Sequence, residues 1–366
     1  FAGVPGTITG FKVTSSAGQT ATGSSSPITV TSLSNGTAYT FTVQAQNATG
    51  LSGASSASSS ITPVAPARAI FAGGTKQAAD AQVNIIDYLD MDSTGNASDF
   101  GDLSAARDMY PSAMASSTRV VFGGGGRSDN ATNTIEYVTA ASTGNVTDFG
   151  DRTISASQGA NLSSSTRGIM TGGYASNYSN VMDYITISST GDATDFGDMI
   201  AVSGYTGRFR HAAYASPTRG IMAGGRAGSD SNDIQYITIS STGNGQDFGD
   251  LTNNTLAPIQ GASNATRGLQ GMEYDSSATP VTTYITIAST GNSSTFGDLS
   301  SRRDSGTACA DDTNCLFAGG NKSGSGRVNI IDYYVIASTG NATDWGDLTE
   351  GRTSLASTTT GHGGIS

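Results

Sequence analysis

The feature that most constrains this chain is a set of short motifs that recurs six times after the first sixty or so residues. The clearest copy runs from Thr166 to Asp198. It contains a Thr-Arg pair, a hydrophobic run ending in Gly-Gly, an apolar-x-Tyr run, and Ser-Thr-Gly-Asn or Ser-Thr-Gly-Asp followed by Phe-Gly-Asp. The tyrosine recurs every 47 to 52 residues, at Tyr88, Tyr137, Tyr184, Tyr236, Tyr284 and Tyr333. The last aromatic residue recurs in step, at Phe100, Phe149, Phe196, Phe248, Phe296 and Trp345. Six copies of one period predict a repeat protein.

Each copy contains four short segments with strand character. In one copy these are residues 211–216, 218–225, 234–241 and 246–250, and a Gly-Asn pair separates the last two as a hairpin turn would. Gly-Gly is expected to end its strand, because glycine tolerates the backbone conformations needed there. Four strands in each of six copies predict an all-β, six-bladed β-propeller with four-stranded blades.

The order of these landmarks resembles the Kelch family of propellers. An arginine precedes the first strand at Arg107, Arg152, Arg208, Arg302 and Arg352, whereas the fourth copy has Asn253 and Asn254. Gly-Gly occurs at 73–74, 123–124, 172–173, 224–225 and 319–320, and the fourth copy again departs from the pattern. The Tyr-to-aromatic spacing of twelve residues is longer than usual for Kelch repeats, so the fold is expected to be Kelch-like.

Ring closure can also be predicted. The first copy begins at Arg68 with what corresponds to a second strand, and the chain ends after Arg352 with a segment that corresponds to a first strand. The N-terminal and C-terminal strands are therefore expected to share one blade, which leaves no open edge in the ring.

The opening residues have a different pattern. Leu33 lies six residues before Tyr39 across an Asn-Gly turn, and Phe41, Val43 and Ala45 then alternate with polar residues. This pattern resembles the tyrosine corner and late strands of a fibronectin type III domain. We expect a partial domain of this type at 1–63, because the usual first two strands would precede Phe1. A linker at 64–67 and the propeller at 68–366 follow.

Composition excludes several functional classes. A formal charge of −11 and a pI near 4.4 argue against nucleic acid as a partner. No apolar run is long enough for a membrane span, and the opening residues are not expected to be a signal peptide. His211 and His362 are the only histidines, so a multi-histidine metal site cannot form, and no cofactor is expected. Cys309 and Cys315 could form a cross-strand disulfide or remain as two partly buried thiols.

Catalysis is not predicted. The aspartates that follow the last aromatic residue are equivalent in all six copies, which indicates an architectural role. A glycosidase would need two distinctive carboxylates that flank a pocket. His211 is expected either to have a structural role or simply to be exposed, because it has few potential partners.

Variation is concentrated in the loops between the second and third strands and in those that lead to the next first strand. The former loops span 75–82, 125–133, 174–180, 226–233, 272–283 and 321–327, and the longest of the latter spans 199–210. Variable loops on a rigid scaffold commonly carry recognition. Their aromatic residues and arginines are the candidate ligand-binding residues: Tyr174, Tyr178, Tyr205, Arg208, Phe209, Arg226 and Tyr274.

The full pattern, a fibronectin-like module followed by these repeats and a Gly-His-Gly-Gly tail, resembles Kelch-like tail-fibre or appendage proteins of marine tailed bacteriophages. That resemblance implies a non-enzymatic, extracellular virion protein that attaches to a host-surface glycan or protein, contacts other virion proteins and forms part of a homo-oligomeric assembly. The alternatives are a structural decoration component of the particle and, less well supported, a glycan-cleaving propeller enzyme.

Overall fold

The chain divides into two compact units, Phe1–Pro66 and Ala67–Ser366. The computed structural model describes residues 6–63, 66–110, 112–127, 130–202, 204–255, 260–271 and 280–365, with backbone alone at 253–255 and 260. Strands dominate both units, and the helical element in this part of the chain is a single 3-10 turn, Ala78–Asp80.

The first unit contains an antiparallel sheet of four strands. In spatial order these are Thr20–Gly23, Gly10–Ser15, Phe41–Asn47 and Gly50–Leu51. Tyr39 is buried, and its hydroxyl accepts a hydrogen bond from the Ser34 N–H at 2.9 Å. This upstream contact is the tyrosine corner that the Leu33-to-Tyr39 spacing predicts.

In the described part of the second unit, antiparallel pairing produces six main sheets, which we call sheets A to F. Sheet A comprises Ala356–Thr359, Arg68–Ala72, Ile85–Asp90 and Ser98–Asp102. Sheet B comprises Ala113–Ala115, Arg119–Gly123, Thr134–Thr139 and Thr147–Asp151. Sheet C comprises Ala160–Ser163, Arg167–Tyr174, Tyr178–Thr186 and Thr194–Asp198.

The other three sheets repeat this order. Sheet D comprises Ala212–Ala215, Arg219–Ala223, Ser229–Thr238 and Gln246–Thr255, with the short strand Arg226–Ala227 added. Sheet E comprises Gln260–Ser263, Arg267–Gly271, Val281–Thr286 and Ser294–Asp298. Sheet F comprises Thr307–Ala310, Asn314–Ala318, Ile330–Val335 and Thr343–Asp347. Two short ladders join Thr75–Lys76 to Arg352–Thr353 and Asn321–Lys322 to Gly326–Arg327.

The first strands of the six sheets contact one another in a closed cycle, A to B through F and back to A. The closing contact depends on Ala356–Thr359, which pairs with Arg68–Ala72 in the register Ala356↔Ala72 to Thr359↔Ala69. The apolar core lies between neighbouring sheets rather than within any one of them. Each of six buried clusters combines residues from two adjacent sheets.

Two of the recurring motifs form the junction between adjacent sheets. The Asp102 N–H donates to Asn145 Oδ1 at 3.0 Å, and the equivalent bond recurs at all six junctions, with Asp192 as the acceptor at one of them. The glycine of Phe-Gly-Asp lies against the next Ser-Thr-Gly turn. A Cβ at Gly101 would lie 2.3 Å from the Gly144 carbonyl oxygen. These motifs therefore hold the sheets together, which explains why they vary so little.

The Thr-Arg motif makes a second set of junction contacts. The Arg119 guanidinium lies 4.2 Å from the centroid of the Tyr137 ring and donates to the Ile187 carbonyl of the following sheet at 2.7 Å. Tyr137 meets Phe149 edge to face at 5.9 Å. Arg68, Arg167, Arg219 and Arg267 repeat the arrangement, whereas sheet F has Asn314 at this position.

Five buried arginines lie before the first strands, and each forms an ion pair with an acidic residue of the next sheet. The pairs are Arg107–Glu136, Arg152–Asp183, Arg208–Asp233, Arg303–Asp332 and Arg352–Asp87. The sequence-based assignment of Arg302 to this set was wrong, because Arg303 makes the contact. Sheet E has Thr283 where four of the other sheets have the acidic residue, and the preceding copy lacks the arginine. The arginine and the acidic residue of this ion pair are therefore both missing from the sequence at sheet E.

Gly-Gly adopts positive φ at the end of the second strand, as in Gly73 (+62°) and Gly74 (+97°). In sheet C the strand nevertheless continues through Gly172 and Gly173 to Tyr174, with a register shift after Thr171. The prediction that Gly-Gly ends the strand is therefore wrong there, because this strand and the next continue as a longer hairpin.

The C-terminal tail lies against the first strands of three sheets. His362 Nε2 lies 3.0 Å from both Ser163 Oγ and the Ala115 carbonyl, and the Gly363 N–H donates to the Ser263 carbonyl at 2.8 Å. A Cβ at Gly364 would lie 1.8 Å from the Ser163 carbonyl oxygen. The tail thus contacts several first strands, and a cavity of about 40 Å³ remains between it and those strands.

Candidate functional site

Five residues with left-handed backbone lie just before the first strands of five sheets. Tyr110, Gln158, Arg210, Ser305 and Ser354 have φ between +47° and +58°. The equivalent segment before sheet E, 256–259, lies outside the described residues. Non-glycine residues seldom adopt this conformation, which costs about 1 kcal/mol or more.

Backbone hydrogen bonds connect these residues in two groups. The Arg210 N–H donates to the Gln158 carbonyl at 2.7 Å, and the Tyr110 N–H donates to the Ser354 carbonyl at 2.9 Å. The Ser354 N–H in turn donates to the Ser305 carbonyl at 2.7 Å. Four of these residues, Tyr110, Gln158, Arg210 and Ser354, line one depression on the protein.

The depression has a volume of about 330 Å³ and a polar lining. Arg127 Nε donates to Asp108 Oδ2 at 2.9 Å, and its Nη2 donates to Thr75 Oγ1 at 3.1 Å. Arg327 bonds to Asp80 and to the Lys76 carbonyl, and its Nε donates to Thr353 Oγ1 at 3.1 Å. The hydrogen bond and charge of Arg327 lower the pKa of Asp80, so this carboxylate stays ionised. A second depression of about 360 Å³ adjoins the first and includes Asp304 and Asn321.

An aromatic cluster flanks the depression. Tyr178 stacks on Phe209 with centroids 5.4 Å apart and an interplanar angle of 7°. Tyr174 meets both rings edge to face at 6.0 and 5.9 Å, and Tyr205 meets Tyr178 at 5.5 Å. Tyr205 is 45% exposed, and the other three rings are half-buried. Four of the predicted binding residues therefore form one surface.

Backbone pairing holds this cluster in place. Phe209 and Arg226 exchange N–H to carbonyl bonds at 3.2 and 2.9 Å. Val202 and Tyr205 pair in the same way, at 3.0 and 2.9 Å. A Cβ at Gly228 would lie 2.1 Å from the Tyr205 ring, so the ring rests directly on that backbone.

The other predicted residues have different locations. Arg226 has an exposed side chain at the edge of the aromatic cluster. Arg208 is fully buried, where it pairs with Asp233 at 2.8 Å and donates to the Gly224 carbonyl at 3.0 Å. It therefore supports the loop rather than facing a ligand. Tyr274 lies outside the described residues.

Arg210 connects the two parts of the site. Its guanidinium carbon lies 5.5 Å from the Phe209 centroid and 5.7 Å from the Tyr110 centroid. Its Nε donates to Gln158 Oε1. We call the four-ring cluster together with Arg210 and the first depression the axial site.

Sequence reasoning found the loops of this site but missed most of its polar residues. Asp80, Arg127 and Arg327 lie within the variable loops, and Arg210 ends the longest one. Gln158 carried a usable signal. It lies between the Phe-Gly-Asp motif of one copy and the Thr-Arg motif of the next, and both motifs vary little. The residue at this position differs among the copies: it is Tyr110, Gln158, Arg210, Ser305 or Ser354.

The remaining reactive groups are in the interior. Cys309 lies opposite Leu316, and Cys315 lies opposite Ala310, the residue that follows Cys309. Because successive side chains of a strand point to opposite faces, the two thiols lie on opposite faces of sheet F. Both are free and buried, which decides between the two alternatives that the sequence left open. His211 is buried with Nε2 2.8 Å from Thr171 Oγ1, and burial and Arg208 lower its pKa well below the usual value.

Within the described ranges, no group of three or more His, Cys, Asp or Glu side chains is placed to hold a metal ion. The same residues contain no helix long and apolar enough to cross a membrane.

Comparison with known proteins identifies the first unit. The family described as the fibronectin type III domain matches residues 3–62. No curated protein matches the chain. The protein is thus an all-β chain with an N-terminal fibronectin type III sandwich and a body of several four-stranded antiparallel sheets.

Proposed function

We propose that the second unit is a six-bladed, Kelch-like β-propeller whose terminal strands share one blade. Sheets A to F are its blades, and the cyclic contacts between their first strands support a closed ring. The C-terminal strand Ala356–Thr359 completes sheet A. The recurring Thr-Arg, Gly-Gly and Phe-Gly-Asp motifs support the Kelch-like assignment.

On this scaffold, we propose a non-enzymatic binding function in which the axial site attaches the protein to a host-surface glycan. The observation that carries the proposal is the cluster of Tyr174, Tyr178, Tyr205 and Phe209 beside a polar depression. Aromatic rings offer flat apolar faces with little conformational entropy to lose, and they suit the apolar faces of sugar rings. The neighbouring arginine, aspartate and glutamine side chains suit sugar hydroxyl groups.

The proposed setting is the surface of a virion, as part of a tail fibre or similar appendage. This part of the proposal rests on the resemblance to bacteriophage appendage proteins in the order of a fibronectin type III domain followed by the repeats. Other virion proteins and further copies of this chain are the expected neighbours.

The full chain should be tested on a printed array of bacterial capsular and lipopolysaccharides, with intact bacterial cells as a second substrate. We expect retention on a restricted set of glycans and a substantial loss of retention for Tyr178→Ala. Release of reducing ends from a bound polysaccharide would instead indicate a glycan-cleaving enzyme. Binding to no glycan and no cell would contradict the attachment function. Burial of the axial site against another particle protein in the assembled virion would favour a structural role.

A further inference from the structure

The three guanidinium groups that line the first depression are not equivalent. Arg127 is bonded to Asp108 and Thr75 and lies 3.6 Å from Asp80. Arg327 is bonded through all three of its nitrogens, to Thr353, the Lys76 carbonyl and Asp80. Both arginines are therefore committed to partners within the protein, and Asp80 and Asp108 offset their charges.

Arg210 has a different set of contacts. Its Nε is held by Gln158 Oε1, and among the described residues Arg210 forms no salt bridge with a carboxylate. Its two terminal nitrogens have no hydrogen-bond acceptor in that part of the chain. Asp304 interacts with it electrostatically across the adjoining depression, but Asp304 also interacts with Arg302 and accepts a bond from Ser305 Oγ at 2.7 Å.

The two terminal nitrogens of the Arg210 guanidinium are also held in a defined position. The left-handed backbone at Arg210, the Gln158 bond and the nearby rings of Phe209 and Tyr110 restrict its movement. A planar guanidinium with two parallel N–H groups free is the group that binds a carboxylate in a bidentate manner. Little side-chain entropy remains to be lost when such an anion binds.

From this geometry we infer that the axial site selects acidic sugars, with Arg210 as the residue that binds the sugar carboxylate. The sugar ring lies against the aromatic cluster, and the carboxylate points toward the depression. This inference rests on the proposed glycan-binding function and narrows it to one class of sugar. The net charge of −11 means that most of the protein surface repels an anionic sugar. Arg210 provides an available positive charge at the axial site, so an anionic sugar is expected to bind there.

The test is an NMR titration of the full chain, uniformly labelled with ¹⁵N, in which the Arg210 Nε signal is followed. The probes are glucuronate, glucose and acetate, each added to millimolar concentration. Glucuronate and glucose differ only in the oxidation of one carbon, so the pair isolates the carboxylate. Acetate supplies the carboxylate without the ring. We expect glucuronate to shift the Arg210 signal with saturation, and we expect little response to glucose or acetate.

Substitutions provide the second arm, read from the signals of the neighbouring aromatic residues. Arg210→Gln should weaken glucuronate binding by about tenfold or more, because bonds to a charged group are lost. Lys322→Gln removes one positive charge from a side chain that does not line the first depression, and it should leave binding unchanged. Thermal unfolding of both variants shows whether the fold is intact.

Several outcomes would overturn the inference. Equal responses to glucose and glucuronate would show that the carboxylate is not recognised, and equal responses to acetate and glucuronate would show that the sugar ring is not. No response to glucuronate would also overturn it. If any of these results is obtained but the protein still binds neutral polysaccharides on the array, the selection of acidic sugars is wrong and the proposed glycan attachment stands. An array without any bound glycan would remove both proposals.

Discussion

At the residue scale, arginine occupies several distinct environments in this protein. Arg119 and its equivalents lie over a tyrosine ring and donate to the next sheet. Arg303 and its equivalents are buried against a carboxylate. Arg210 lies at the axial site with part of its guanidinium unused. The same side chain therefore joins sheets, stabilises loops in the interior and is available to a ligand, and backbone position determines which of these it does.

The buried ion pairs predict a large effect of removing one partner. Arg303 Nη1 and Asp332 Oδ2 lie 2.8 Å apart with both side chains 0% exposed. Asp332→Ala should lower the free energy of unfolding by about 3 kcal/mol or more, because Arg303 stays buried without its counter-ion. The measurement is urea-induced unfolding. Asp90→Ala breaks the exposed pair with Arg68 and should cost about 1 kcal/mol or less. Similar losses in the two variants would contradict this account.

The two histidines predict acid sensitivity. Burial lowers the pKa of His362 to about 4 and that of His211 well below its usual value. The folded protein therefore binds fewer protons than the unfolded chain, in which histidine has a pKa of about 6.5. Stability from this source is fully present above the unfolded pKa and decreases as the pH falls from about 6.5 toward about 4.

Urea unfolding at a series of pH values across this interval, for the wild type and His362→Asn, measures the effect. We expect the variant to lose less stability than the wild type as the pH falls. The buried carboxyl groups of Asp87 and Asp304, whose pKa values burial raises, are present in both proteins. Parallel pH profiles would show that His362 does not contribute.

At the scale of elements, the junction between sheets depends on close backbone approach. A Cβ at Gly297 would lie 1.9 Å from the Gly340 carbonyl oxygen of the next sheet, whereas a Cβ at Gly340 would meet nothing within 4 Å. The two glycines belong to the same junction and differ in the space around them. The repeat therefore retains glycine in Phe-Gly-Asp for a steric reason.

This difference gives a matched pair of substitutions. Gly297→Ala should destabilise the protein by about 1–3 kcal/mol, because the added methyl group forces the sheets apart. Gly340→Ala should have a much smaller effect. Thermal and urea unfolding compare the two variants. Equal effects would indicate that conformational entropy, rather than the contact between sheets, determines the use of glycine here.

The sequence allowed the strands and their order to be predicted, because hydrophobic alternation and turn residues act locally. Four segments per copy correspond to observed strands, as in Ala212–Ala215 and Arg219–Ala223. Contacts between residues that are distant in the sequence were harder to predict. The sequence did not distinguish Arg303 from Arg302 as the buried residue, because the two are adjacent and only the backbone path decides which side chain enters the interior.

The axial site shows the same limit. The variable loops identified Tyr174, Tyr178, Tyr205 and Phe209, and the structure brings these rings together. The depression beside them is built from loops that are distant in the chain, such as those that carry Asp80, Arg127 and Arg327. These loops come together only through the long-range arrangement of the sheets, which no local sequence pattern reveals.

At the scale of the whole molecule, the C-terminal residues complete the cycle of contacts between the first strands. Ala356–Thr359 pairs with Arg68–Ala72, and the tail beyond it contacts sheets B, C and E. Truncation after Ser354 should therefore expose a strand edge, lower the unfolding temperature strongly and promote self-association. Truncation after Thr360 retains the strand and should have a smaller effect. Size-exclusion chromatography and thermal unfolding measure both, and equal stability of the two truncated chains would contradict the closing role of the strand.

The central claim is that the aromatic cluster and depression of the axial site form a glycan-binding surface. The most direct test is the dissociation constant of the full chain for the polysaccharide fragment best retained on the array, measured by calorimetry for the wild type, Tyr178→Ala and Val335→Ala. Val335 is an exposed apolar residue at the end of a sheet F strand, outside the axial site. The account predicts a loss of about tenfold or more for Tyr178→Ala and wild-type affinity for Val335→Ala. Unchanged affinity of a folded Tyr178→Ala protein would contradict it.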